Sequence, residues 1–165
     1  ITIEVARLPW KAWELFAPYH YLTAELHRAA TCFGLWANGT LAAFAGVQHR
    51  PHAIAKNIKG VSRCVTLPDW QGLGLAFVLM ETLGEAYKAT GSRLRTYPAH
   101  PQFVRNFKSD KWRCDKRPGQ RSSAGKQDAT ISGRIGFQRP CATFEYIGPA
   151  MERHDAERLL AKASL

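Results

Sequence analysis

Apolar and polar positions alternate at the start of the chain. Ile1, Ile3 and Val5 stand against Thr2, Glu4 and Ala6, which is the period of a strand. Pro9 opens a helical stretch over residues 10–17, with Trp10, Trp13 and Phe16 or Ala17 on one face, and Pro18 ends it. Thr23 is placed to cap a second short helix with Leu22 and Leu26 inward. Two apolar runs, 31–36 and 40–48, flank Asn38-Gly39. Both of these residues tolerate positive φ, so the segment predicts a hairpin. Residues 51–59 read as loop, and 60–67 as a strand stopped by Pro68-Asp69. A long helix is predicted over 73–90, closed by Gly91, then a short strand over 93–97. Pro98-Ala99-His100-Pro101 breaks the chain before a short helix at 102–108. The turn-rich stretch 115–128 reads as a mobile loop, 129–137 and 142–146 as strands, and 149–165 as a C-terminal helix. Nothing in the pattern splits the chain, so residues 1–165 are expected to form one α/β (α+β) domain, a sheet with helices against it.

Charge adds the next piece. The chain carries 23 Lys and Arg against 13 Asp and Glu, a net +10. Much of the excess comes late: residues 105–139 hold ten Lys or Arg against Asp110, Asp115 and Asp128, a net +7. Such a segment attracts polyanions, and nucleic acid, above all DNA, is the expected partner. No apolar run is long enough to span a membrane. The first residues lack the basic start and apolar stretch of a signal peptide, and a cytoplasmic location is expected. The chain does not begin with Met, which is consistent with a segment cut from a longer one. Cys32, Cys64, Cys114 and Cys141 are too far apart to pair as C-x-x-C ligands and are expected to be buried free thiols. His20, His27, His49 and His100 show no tight ligand spacing, so no metal site is expected.

The densest chemical signal is Gln71-Gly72-Leu73-Gly74-Leu75-Ala76, where a strand gives way to a helix. The two glycines let an anion approach the backbone, and the N–H groups and dipole of the helix start favour it. A Walker loop would need Gly-Lys-Ser/Thr, and a dinucleotide fingerprint three spaced glycines after an early strand; neither is present. The segment resembles the Gln/Arg-x-x-Gly-x-Gly/Ala loop of the GNAT superfamily, with Gln71, Gly74 and Ala76 in the three places. The order of helices, hairpin and strand before it is similar too, from residue 1 to about residue 146. The resemblance implies a mixed, mostly antiparallel central sheet flanked by helices. It implies acetyl-CoA as co-substrate, held in a cleft between the fourth and fifth strands. Cys64, Val65 and Thr66 would then pair with the pantetheine arm, and the N–H groups of Gly72, Leu73, Gly74, Leu75 and Ala76 would hold the pyrophosphate.

A narrower resemblance rests on Tyr19-His20-Tyr21-Leu22, Cys32-Phe33, the stretch from Leu67 through Gly72, His100-Pro101, Lys111-Trp112-Arg113 and Arg121-Ser122-Ser123-Ala124-Gly125. These segments resemble acetyltransferase domains found alone in phages or behind an ABC-type ATPase. They are also similar to Mom-like phage DNA-modification proteins. The implied acceptor is an amine on a modified DNA base. A Mom-like reaction on an unmodified base and a non-catalytic nucleic-acid-binding module are the alternatives.

Acyl transfer to an amine needs a base for the amine and a proton for the leaving thiolate. Many members of the superfamily use a Glu on the fourth strand, but no acid stands between Lys59 and Pro68 here. Histidine is the natural substitute near neutral pH. His20, Tyr97 and His100 are therefore the catalytic candidates, since the resemblance converges their three segments on one cleft. Arg63, His49 and Trp112 are the candidates for contact with the acceptor. Trp112 stands among Lys and Arg in a pattern that suits stacking on bases.

Overall fold

A computed structural model describes residues 1–21, 23–118 and 141–161. Seven strands form one sheet: β1 (Ile3–Leu8), β2 (Thr31–Ala37), β3 (Thr40–His49), β4 (Ile58–Thr66), β5 (Arg93–Thr96), β6 (Trp112–Lys116) and β7 (Thr143–Tyr146). Their spatial order is β1-β2-β3-β4-β5-β7-β6. All neighbours are antiparallel except β4 and β5. The helices are α1 (Trp13–Phe16), α2 (Leu75–Ala89), α3 (Pro101–Arg105) and α4 (Arg153–Leu160). The predicted class, a mostly antiparallel sheet flanked by helices, is what the chain forms.

The hairpin closes as its turn residues require. Asn38 and Gly39 have φ of 50° and 77°, and Ala37 pairs with Thr40 across the turn. Asn38 Oδ1 also accepts the Thr2 N–H at 2.9 Å, which fixes the start of β1 against the turn.

The sheet buries both faces over its β1–β4 half. On one, α2 lays Leu79, Met80 and Leu83 against Phe33, Leu35, Ala45, Val47, Val61 and Leu94. On the other, Trp13, Phe16 and Leu26 close over Cys32, Phe44 and Val65. Beyond β4 this second face is polar. Glu145 on β7 is buried and takes Arg93 (2.8 Å) and Arg95 (2.7 Å) from β5, with Asp115 on β6 at 3.2 Å from Arg95. Burial raises the Glu145 pKa, but hydrogen bonds from Arg93 and Arg95 outweigh it and hold the carboxyl below its ordinary value of 4.5. Its ionised form therefore stabilises the fold at neutral pH, and that contribution is lost as pH falls through the lowered pKa. Glu145→Ala should cost about 3 kcal/mol in urea unfolding at pH 7, the low end for a broken buried pair because Asp115 stays beside Arg95. The difference from the parent should shrink in the acid range.

Several expected elements differ. The first helix is shorter: 3-10 turns at Trp10–Ala12 and Ala17–Tyr19 bracket the single α-turn of α1, with Pro18 inside the second. No helix follows Thr23. Its hydroxyl accepts the Glu25 N–H at 3.1 Å, closing a local turn that competes with the helix it would cap. Leu26 does face inward. Asp115 and Lys116 belong to β6 rather than to a loop. The rest of the expected loop from 119 onward, the strand at 129–137 and residues 162–165 lie outside the described residues. All four cysteines are free, with Cys32 buried but Cys114 exposed.

Candidate active site

β4 and β5 pair in parallel only from Ile58↔Arg93 to Val61↔Thr96. Past that point β4 runs on to Thr66, whereas β5 gives way to Tyr97-Pro98. Pro98 has no N–H to continue a ladder. A register shift on the other side of β4, where Gly46 faces Arg63 and Val47 faces Val61, leaves Ser62 as an extra residue. Such a bulge bends its strand. The two strands therefore part, and the opening is a cleft of about 770 Å³. Residues 62–66 line one wall and Thr96, Tyr97 and Pro98 the other.

At one end stands the loop before α2. Gly72 and Gly74 have φ of 81° and 75°, a left-handed backbone that favours glycine. A Cβ at either would meet nothing within 4 Å, so the space over the loop is open. The first intrahelical donors are Phe77 and Val78, both to the Gly74 carbonyl. The N–H groups before them have no helical acceptor and can take an anion. Gln71 Nε2 donates to the Thr66 carbonyl at 3.1 Å, tying the loop to the end of β4. Gln71, Gly72, Gly74, Leu75 and Ala76 line the cleft together with Cys64, Val65 and Thr66; Leu73 is exposed and does not. This arrangement suits an extended ligand with a pyrophosphate at one end.

At the other end stand Tyr19, His20, Tyr21, Tyr97 and His100. His20 packs edge-on against Trp13 at 5.7 Å, and Tyr21 lies 5.3 Å from His20 and 5.6 Å from His100. His20 Nδ1 is 3.1 Å from the Thr23 carbonyl, to which it would donate, and 3.4 Å from the Thr23 N–H, from which it would accept. Donation to the carbonyl is the tautomer that carries the lone pair on Nε2, the form a base acting through Nε2 requires. Burial lowers the His20 pKa below 6.5 and the Arg63 charge lowers it further, against the opposing backbone contact with Thr23. The ring is thus neutral at pH 7. Burial raises the Tyr97 hydroxyl above 10, against Arg50 and Arg95, so it keeps its proton. Burial pushes the Cys64 thiol up to about 12, which makes it no nucleophile at neutral pH. No Asp or Glu is among the described residues lining the cleft, and no described cluster of His, Cys, Asp and Glu could hold a metal.

Arg63 also lines the cleft, but its guanidinium is engaged. It donates to the Glu25 carbonyl (3.0 Å), the Ser62 carbonyl (2.7 Å) and Thr23 Oγ1 (3.2 Å), and so pins the segment that follows His20. Two expected contact residues lie elsewhere. His49 is at the exposed end of β3, and β4 stands between it and the opening. Trp112 is buried, edge-on to Phe107 and Tyr146, because strand alternation in β6 turns it inward. Gln102, Phe103 and Asn106, from α3 and the residue that caps it, line the cleft without having been marked by sequence. The signal was there in Pro101, which starts a helix directly after the break.

Comparison with known proteins agrees with this geometry. A model of the acetyltransferase (GNAT) family matches residues 2–108. No curated protein sequence matches. Among solved structures, the ribosomal-protein-S18-alanine N-acetyltransferase from Escherichia coli superposes with a TM-score of 0.58 at 16% identity, covering 91% of this chain and 96% of that one. The IAA acetyltransferase from Bacillus cereus gives 0.62 at 12% identity, covering 88% and 99%. A Bacillus subtilis acetyltransferase in complex with CoA gives 0.58 at 12%, covering 87% and 96%. At these identities the likeness is one of fold. No described helix is long and apolar enough to cross a membrane.

Proposed function

The chain belongs to the acetyltransferase (GNAT) family, an N-acetyltransferase with acetyl-CoA as co-substrate, and on that premise we propose that its acceptor is an amine on a modified DNA base. The observation that carries the reading is the cleft itself. It has an anion-binding loop at one end and exposed Tyr19, Tyr21 and His100 rings at the other. Exposed rings suit a flat heterocycle, which stacks on them. The positive chain repels polyamines and lysine-rich acceptors and attracts nucleic acid. In this reading the protein is cytoplasmic and close to the phage and ATPase-associated acetyltransferase domains.

Acetyl-CoA lies with its pyrophosphate on the N–H groups of Gly72 through Ala76 and its pantetheine arm along Cys64, Val65 and Thr66. The acceptor nitrogen attacks the thioester carbonyl; a C–N bond forms and the C–S bond breaks. His20 Nε2 takes the proton the nitrogen sheds, and the Tyr97 hydroxyl gives one to the leaving sulfur. His100 borders the acceptor. Incubation with radiolabelled acetyl-CoA should label DNA whose bases carry an aliphatic amine. If such DNA stays unlabelled, the DNA acceptor is wrong. A changed nucleoside mass profile in unmodified DNA made alongside the protein would favour the Mom-like reading, which the lack of a carboxylate among the described residues of the cleft supports.

A further inference from the structure

Arg50, just past β3, has no role in the steps above, yet the fold holds it against the cleft wall. Alternation along β3 puts Val47 into the core and turns Gln48 and Arg50 to the opposite face of the sheet. There Arg50 crosses β4 at Gly60. A Cβ on Gly60 would come within 2.6 Å of Arg50 Cγ, 2.9 Å of its Nε and 3.1 Å of Tyr97 Cε2. The missing side chain is the space in which arginine and tyrosine meet, and the guanidinium lies 5.1 Å from the centre of the Tyr97 ring.

The guanidinium is also unspent. Its Nε is buried with no hydrogen-bond partner among the described residues, and the same is true of Gln48 Oε1 two positions earlier. The carboxylates on this face are engaged elsewhere: Glu145 and Asp115 hold Arg93, Arg95 and Arg113. The neighbouring cation on the cleft wall, Arg63, has its donors taken by the 23–25 segment. Buried polar nitrogens are normally paired; this one is sealed in behind Tyr97, whose ring lines the cleft, so the guanidinium borders the cleft through that ring.

We infer that Arg50, laid across Gly60 against Tyr97, binds an anionic group of phosphate type on the acceptor, next to the amine that is acetylated. The inference rests on the reading of the cleft as the acyl-transfer site. It does not require the acceptor to be DNA: a nucleic-acid strand and a small phosphorylated amine present the same chemistry. Arginine suits either, because its planar fork matches phosphate oxygens in pairs.

The test uses protein saturated with CoA, so that the pyrophosphate loop is occupied. Binding of two probes is measured by calorimetry: a 12-nucleotide single strand of mixed sequence and 2-aminoethyl phosphate. Arg50→Gln should weaken at least one probe on the order of tenfold, and for the strand should reduce the salt slope by about one. Arg50→Lys, which keeps the charge, should retain part of the binding. Gly60→Ala, whose new Cβ meets the flexible Arg50 side chain, should weaken binding like Arg50→Gln while the charge stays. Acetyl-CoA affinity should be the same in all four proteins, which guards against a folding defect. Equal binding of both probes by parent and Arg50→Gln overturns the inference, as does failure of the parent to bind either. Arg50-dependent binding of 2-aminoethyl phosphate alone supports it and removes the DNA acceptor. Arg50-dependent binding of the strand supports it as well, and the labelling of amine-bearing DNA then decides separately whether DNA is the acceptor.

Discussion

Gly74→Asp is expected to bind acetyl-CoA at least about 100-fold more weakly than the parent, a loss of about 2.7 kcal/mol, with little change in thermal stability. The fold and the site make separate demands on this residue. Its φ of 75° disfavours most side chains, but aspartate is among the few that visit the left-handed region. The space above it is open, so an added side chain meets no protein atom. What it does meet is the ligand. A carboxylate would stand where N–H groups and the helix dipole are arranged for a pyrophosphate, and like charges would repel. Gly91→Ala is the matched control. Gly91 has φ of 82° and equally open surroundings, but it follows the C-terminus of α2, at the far end from the loop. It should lose about 1 kcal/mol of stability and none of its affinity for acetyl-CoA. Isothermal calorimetry with both variants decides. Equal weakening by the two would mean that backbone strain, not the anion site, governs binding.

How far such features can be read from sequence depends on whether their cause is local. The loop before α2 was legible because glycines between a strand and a helix state their own backbone geometry. Asn38-Gly39 was legible for the same reason. β6 was not: Trp112-Arg113-Cys114-Asp115-Lys116 is short, charged and without a clear alternation, and it is a strand because Arg113 and Cys114 pair with Glu145 and Phe144 some 30 residues on. Trp112 misled for the same reason. Its Lys and Arg neighbours suggested a nucleic-acid contact, whereas the pleat of β6 points it into the core.

Arg50 shows the limit more sharply. Nothing in His49-Arg50-Pro51 distinguishes it from any basic loop residue. Its position is decided by Gly60 on the next strand and by Tyr97 on the one after, so only the folded sheet brings the three together. The candidates that converged, His20, Tyr97 and His100, did so because the resemblance supplied the fold. The two that did not, His49 and Trp112, are those whose placement turns on strand order and pleat.

Tyr97→Phe should lower kcat by about 10²- to 10⁴-fold, the range for losing a positioned proton donor, with acetyl-CoA affinity unchanged. Phenylalanine keeps the ring over Gly60 and against Arg50, so only the hydroxyl is removed. Burial raises the Tyr97 pKa above 10, so the proton is present throughout the neutral range and its loss should lower the rate only at alkaline pH. His20 works in the opposite sense. A base must be deprotonated, and burial with the Arg63 charge beside it lowers the His20 pKa below 6.5. Activity should therefore be flat through pH 7 and decline as pH drops through that lowered value, where the ring takes up a proton. His20→Gln should lose a similar factor in kcat and, with it, the acid limb of the profile. Arg63→Gln should move that limb upward, towards 6.5, because one of the two causes of the shift is gone. The pH dependence of kcat across the three variants separates this pairing from a purely structural role for His20. An acid limb that survives His20→Gln unchanged would place the base elsewhere, and His100, 5.6 Å from Tyr21 on the same side of the cleft, would be the next residue to replace.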